Sequence, residues 1–459
     1  MKASPLLLSI LFVLSAPASA ASAATAPSST APSSTAPASA APSSTATTLL
    51  THATVIDGTG AAPVADTTLV IADGRILAIR QHDNQPPPKD AKVEDLHGRY
   101  VIPGLIDAHV HISDVEPDMA HYRDFMRALL LGGVTGIRDM GGNARQLGFL
   151  AQQTATGTMP GPDIAYSALV GGPSFFAKDA RVGDAAPGVA RGTAPWMRAI
   201  DANTDLRQAI AEARGTGASG IKIYANLPAD LVAKIAAEAH RQGLRVWTHA
   251  TIFPAKPGDA VNAGADTISH TPYLVWEAAP TVPDDYGVRA RGDFAHIAPD
   301  SPALLALFDA MKQHGTILDA TLHVFVYVAG VRPQELGAGI LPWSYAATRL
   351  AHEHGVAIDV GTDSEAFPDG DDGQPDIHVM PLVHAEMALL VEHCGFTPLE
   401  AIRAATQVGA VAMGEGDTRG TIAPGKRADL VVLSADPSID IHNTTKIDFV
   451  VKRGIIQRW

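Results

Sequence analysis

Cysteine is all but missing. The chain of 459 residues holds one, Cys394, so no intramolecular disulfide can form and the fold has to stand on its apolar core. Positive charge is also short, with 34 Lys and Arg against 48 Asp and Glu and a formal net charge of −14. Nucleic-acid phosphates would be repelled unless a local basic cluster intervened, and the sequence has none. Long apolar runs are absent as well: the longest candidate, Leu6 to Leu14, is about half of the roughly 20 residues needed to span a bilayer. These absences leave small molecules as the expected partners, without membrane attachment once any leader is removed.

What is present divides the chain. Met1-Lys2, the short apolar core and Pro17-Ala18-Ser19-Ala20 match an export signal, so residues 1–20 are predicted to be a signal peptide cleaved after Ala20 and the mature protein to be periplasmic or secreted. No cysteine stands near that site to carry a lipid. Residues 21–47, built only from Ala, Ser, Thr and Pro with APSST recurring, read as a disordered linker. Order is expected to begin near TLLTHATVIDG, followed by TLVIADGRILAI, a hairpin turning at Asp73-Gly74.

From Val101 the rhythm changes to short apolar strands alternating with Ala/Leu-rich helices. Strands are predicted at 105–111, 134–139, 163–170, 220–224, 244–249, 266–270, 315–322 and 356–362, and PADLVAKIAAEAHRQG places Leu231, Ile235 and Ala239 on one helical face before Gly243. Eight βα units in about 300 residues are the arithmetic of a (β/α)8 TIM barrel. The closing segments, GTIAPGKRADLVVLSADP and DFVVKRGIIQRW, resemble the opening hairpins. The expected architecture is therefore an α/β chain: a barrel over 101–420 with a small discontinuous β-sandwich domain built from both chain ends, 48–100 plus 421–459. Cys394, in LLVEHCGFTP, is expected at a helix end as a packing residue.

Strand 1 ends in VIPGLIDAHVHI. Residues i and i+2 share a face, so His109 and His111 project together, with Asp107 one layer deeper, into the barrel mouth where active sites of this architecture lie. Alone, such a pair reads as core or surface histidines. Four other predicted strands also end in a polar residue: Lys222 in GIKIYANL, His249 in VWTHA, His270 in TISH and Asp363 in VGTDS. Each has an ordinary structural reading, as a snorkelling lysine, satisfied core histidines or a helix cap. Recurrence at matching positions on strands 1, 4, 5, 6 and 8 turns them into a candidate site. Imidazoles and carboxylates are ligands that Zn2+ and similar ions accept. An ammonium would repel them, but a deprotonated lysine can take up carbon dioxide to give a carbamate with two bridging oxygens.

On PGLIDAHVH, GIKIY, the single histidines, GTDS and GTIAPGKRADLVVL, residues 48–459 are similar to the amidohydrolase superfamily of metal-dependent hydrolases. They resemble its imidazolonepropionase-related, prolidase-like branch, which includes carboxypeptidase-type dipeptidases and ochratoxinase-like amidases. The resemblance implies two divalent ions, zinc being the expected one, with His109, His111 and Asp363 on one, His249 and His270 on the other, and carboxylated Lys222 bridging. Imidazolonepropionase itself is mononuclear, and a lysine at the strand-4 position departs from its pattern in favour of a two-metal amidase.

In such a site a hydroxide shared by two ions attacks the carbonyl, Asp363 carries the proton to the leaving amine, and Tyr224, facing the same way as Lys222, lies near the developing oxyanion. Specificity is expected from 171–200, 271–300 and 364–380, where Arg181, Arg191, Arg198, Arg289 and Arg291 are candidates to clamp a carboxylate, with His323 as a further pocket residue; solvated surface arginine is the competing reading of each. The expected reaction is cleavage of an amide bond in a dipeptide or N-acyl amino acid. Lactone or cyclic-amide hydrolysis in the same site is the first alternative, and a non-catalytic exported metal- or solute-binding barrel the second. The oligomeric state is open, a homo-oligomer included.

Overall fold

The computed structural model describes residues 47–83, 85–114, 119–370 and 375–458. The predicted signal peptide and all but the last residue of the predicted linker lie outside them. Strands run in chain order β1 (Thr48–Val55), β2 (Val64–Ala72), β3 (Arg75–Gln81), β4 (Lys92–Asp95) and β5 (Tyr100–Pro103), then β6 (Leu105–Val110), β7 (Val134–Asp139), β8 (Asp163–Gly171), β9 (Thr193–Ala194) and β10 (Met197–Ala199). They continue as β11 (Gly220–Ile223), β12 (Arg245–His249), β13 (Thr267–Ser269), β14 (Ile317–Asp319) and β15 (Ile358–Asp359), and close with β16 (Leu430–Leu433), β17 (Ile447–Lys452) and β18 (Ile455–Gln457).

The two ends of the chain share one eight-stranded sheet, ordered β18-β17-β16-β5-β1-β2-β3 with β4 beside β1. β2 and β3 are joined by Asp73 and Gly74, both left-handed at φ 50° and 72°, the backbone a two-residue primed turn requires. Leu50, Leu69 and Ile76 from the first segment pack with Leu430, Val432 and Phe449 from the last. Neither segment could bury these residues alone.

Between them β6, β7, β8, β11, β12, β13, β14 and β15 pair in parallel in that order. The ring closes as Ala108 N–H donates to Val360 O at 2.7 Å and Asp363 N–H to His109 O at 2.8 Å. All eight predicted barrel strands are found, most of them shorter by a residue or more at one or both ends. The strand expected to reach Leu322 stops at Asp319, because Thr321 turns left-handed (φ 50°) and a helix starts at Leu322. The expected helix spans Ala229–Arg241, buries Leu231, Ile235 and Ala239, and is followed by Gly243 at φ 78°. Cys394 ends the Val383–Cys394 helix, fully buried.

Candidate active site

β6 delivers His109 and His111 to the C-terminal mouth of the barrel. His109 is buried; its Nδ1 lies 2.6 Å from Asp319 Oδ2 on β14, and its Nε2 3.2 Å from Asp363 Oδ1. His111 Nε2 reaches the same oxygen at 3.1 Å. His270 follows β13 in a left-handed conformation, φ 77°, which brings Nδ1 to 3.5 Å from Asp363 Oδ2 and 2.9 Å from Thr321 Oγ1. A non-glycine residue held there is a strained position of the kind that clusters at functional sites. The His249 ring stands 4.6 Å from that of His270.

Lys222 lies beneath this group, fully buried, and donates to Ser269 Oγ at 2.9 Å. Burial pushes its amine down to about 7, against the pull of Asp319. A substantial neutral fraction at physiological pH is what carboxylation of a lysine needs. Burial, with His270 and Lys222 nearby, keeps His249 well below the usual imidazole range, and burial lowers His270 to about 3. Asp363 goes the other way: burial alone would raise it, but His109 and His270 hold it well below the usual carboxylate range.

The donor set fits a cation. His109 Nδ1 is committed to Asp319 at 2.6 Å, which leaves Nε2 as the nitrogen facing an Asp363 oxygen at 3.2 Å, an imidazole and a carboxylate side by side as two ligands of one ion stand. His249 Nδ1 is buried without a partner. His109, His270 and Asp363 each place a ligand atom within 4.8 Å of the others. An orienting carboxylate behind a ligating histidine is the usual support of a metal site.

Sequence reasoning missed that support. Asp319 is backed by Arg138 from β7, whose guanidinium reaches Asp319 Oδ2 at 3.4 Å and Asp359 Oδ2 at 3.5 Å and stacks on Trp247. Burial opposes the ionisation of Asp319, but His109 and Arg138 outweigh it and hold its carboxyl low, while burial and Asp319 itself drive Asp359 well above the usual range. A Cβ at Gly361 would overlap Asp319 Oδ1 and the His109 Cβ, so glycine is required there. Asp107, left open between two roles by the sequence, accepts from Thr362 N at 3.0 Å, Thr362 Oγ1 at 2.8 Å and His109 N at 3.3 Å. It pins the barrel's closing seam.

Two cavities meet over the cluster, of about 530 and 420 Å3, and share His111, Tyr224, Arg181 and Asp363. Tyr224 lies one residue past β11, its ring 4.0 Å from that of His249 and its hydroxyl 2.9 Å from that of Tyr286, with Arg181 Nη2 donating to it at 3.3 Å. Arg289, stacked on Tyr286, and Arg291 line the smaller cavity, and His323 the larger. Arg198 is instead paired with Glu212, and Arg191 is exposed and lines neither. Lys222 also lies outside both linings.

A parallel barrel whose strand ends gather imidazoles and a carboxylate under shared cavities has the layout of a barrel enzyme with a candidate metal site. The amidohydrolase family model matches residues 100–457, and the chain belongs to that family. An ochratoxinase of Aspergillus niger is 25% identical over 456 residues, covering 86% of this chain and 82% of its own. An allantoinase of Streptomyces avermitilis matches more locally, 37% over 95 residues and one fifth (20%) of each chain. The crystal structure of a Xaa-Pro dipeptidase with bound methionine, 23% identical, superposes with a TM-score of 0.70 over 90% of this chain and 100% of its own, which establishes the shared fold.

Proposed function

We propose that this hydrolase cleaves an amide bond in small substrates, dipeptides or N-acyl amino acids, using two divalent ions, zinc being the expected one, which a carboxylated Lys222 would help to hold. The observation that carries the reading is the donor arrangement around Asp363: three imidazole nitrogens within 3.1–3.5 Å of one ionised carboxylate, beside a buried His249 with an unpartnered nitrogen and a buried lysine lowered to about 7. His109, His111 and Asp363 would hold one ion, His249 and His270 the other. When bound, such ions supply Lewis acidity and lower the pKa of water from about 15.7 towards 7.

The chain's own residues do the rest. Asp363, kept ionised, accepts a proton from the attacking water and returns it to the amide nitrogen as the C–N bond breaks. Asp319 fixes the His109 tautomer and ring plane. The Tyr224 hydroxyl, aligned by Tyr286 and Arg181, offers a donor to the carbonyl oxygen as charge builds on it. Arg289 and Arg291 attract a substrate carboxylate. The export pattern of residues 1–20 supports action outside the cytoplasm.

The test is a panel of dipeptides, N-acyl amino acids and lactones. Chelation is expected to abolish turnover and added zinc to restore it. Asp363→Asn should still take up metal, with turnover down at least ~100-fold, the lower end of what general acid–base catalysis contributes. A fully active Asp363→Asn would remove it from the proton path.

A further inference from the structure

The larger cavity is chiefly apolar, faced by Leu169, Phe175, Val182, Met197, Phe367 and Leu382. Part of its wall is the Leu322–Val331 helix, LHVFVYVAGV, which carries no Asp, Glu, Lys or Arg. A surface helix ordinarily turns a polar face outward. Here only Leu322 and Phe325 are buried, while Tyr327 is 40% and Val331 55% exposed. Apolar surface left open beside a cavity marks a place where something apolar binds. The smaller cavity adds Arg289 and Arg291, which do not face the larger one, to the Arg181 and Arg332 that line both. Asp363 belongs to both.

We propose, on the footing of the amide-hydrolase reading, that the substrates are N-acyl amino acids with a bulky apolar acyl chain, which fills the larger cavity while the amino-acid carboxylate turns to Arg289 and Arg291 in the smaller. The scissile amide then sits at the junction, over Asp363. Water adds its oxygen to the acyl carbon, the C–N bond breaks, and the proton taken by Asp363 passes to the amine, giving a free carboxylic acid and a free amino acid. The ammonium of an ordinary dipeptide would have to give up water against a chiefly apolar wall, even with Asp179, Glu365 and Asp369 also lining the larger cavity.

The experiment compares N-acetyl-, N-hexanoyl- and N-decanoyl-alanine with alanyl-alanine on the zinc-loaded full chain. kcat/KM is expected to climb by about threefold to fourfold per buried methylene until the cavity is full, with the dipeptide slowest. A flat or falling series overturns the proposal. Calorimetric binding of the same compounds to Asp363→Asn should repeat the order. Chain-length-dependent binding without hydrolysis of any amide would support the acyl cavity while counting against the hydrolase reading, so the two fail separately. Val326→Ser and Leu382→Ser, at residues that line the larger cavity and not the smaller, are expected to lower the decanoyl-to-acetyl ratio by at least about threefold, and an unchanged ratio in both variants also overturns it.

Discussion

At the scale of single residues, His109 is worth no more than the groups behind it. Its Nδ1 is committed to Asp319, which Arg138 in turn holds, and this chain of contacts decides which nitrogen His109 offers to a metal. Replacing the carboxylate by an amide keeps the shape and removes the charge. Asp319→Asn is expected to weaken zinc affinity about 10- to 100-fold, the range seen when such orienting partners are lost, with turnover falling in step. Competition against a chromogenic chelator measures the first; unchanged affinity would show that Asp319 serves only the packing of the barrel floor. The outer groups were legible because His109, His111, His249, His270 and Asp363 interrupt apolar strands at their ends. Arg138, Asp319 and Asp359 fall inside the strands as the sequence delimits them, in VTGIRD, TILDA and VAID. A charge there announces a buried partner without naming it, and the partner is chosen by barrel closure, 181 and 221 residues away along the chain.

At the scale of elements, strands were read well and the segments between them poorly. Strands of a parallel barrel are buried on both faces, so each appears as a short apolar run, and eight such runs alternating with helical stretches leave little choice of fold. The Leu322–Val331 helix gives no such signal: LHVFVYVAGV is apolar all round, lacks an amphipathic period, and was absorbed in part into the strand before it. Tertiary contacts determine it. Glu386, buried in the Val383–Cys394 helix, accepts the Leu322 and His323 N–H groups at 2.8 and 2.6 Å, capping the first turn from another helix, and burial raises its carboxyl to about 8. Glu386→Ala leaves two buried donors unsatisfied, at about 1–3 kcal/mol each. The expected result is a lower Tm together with faster hydrogen exchange confined to about residues 320–331. Exchange rising evenly over the whole barrel would instead make Glu386 a general packing residue.

At the scale of the whole molecule, a buried charge cluster ties the barrel to the terminal sheet. Asp163 opens β8, accepts from Lys452 at 2.8 Å, Arg419 at 3.1 Å and Arg453 at 2.8 Å, and forms an ion pair with Arg427 at 3.2 Å, residues lying more than 250 positions later; Asp429 shares Arg419. Burial would raise the Asp163 carboxyl, but Lys452, Arg419 and Arg427 outweigh it and hold it well below its usual value of 3.8. A carboxylate whose folded pKa is depressed stabilises the fold above its unfolded pKa and loses that contribution as pH falls through the folded one. Asp163→Asn removes one anion and leaves four buried or half-buried cations with only Asp429 and Glu415 among them, a loss of about 3–5 kcal/mol for breaking a buried pair. Thermal melts at pH 7 should therefore show a clear drop in Tm for the variant. Below about pH 4, where the unfolded chain takes up a proton at Asp163 while the fold still holds the carboxyl ionised, the gap between the two should begin to narrow, and a gap that stays constant from pH 7 to pH 3 would show that the cluster contributes shape rather than charge.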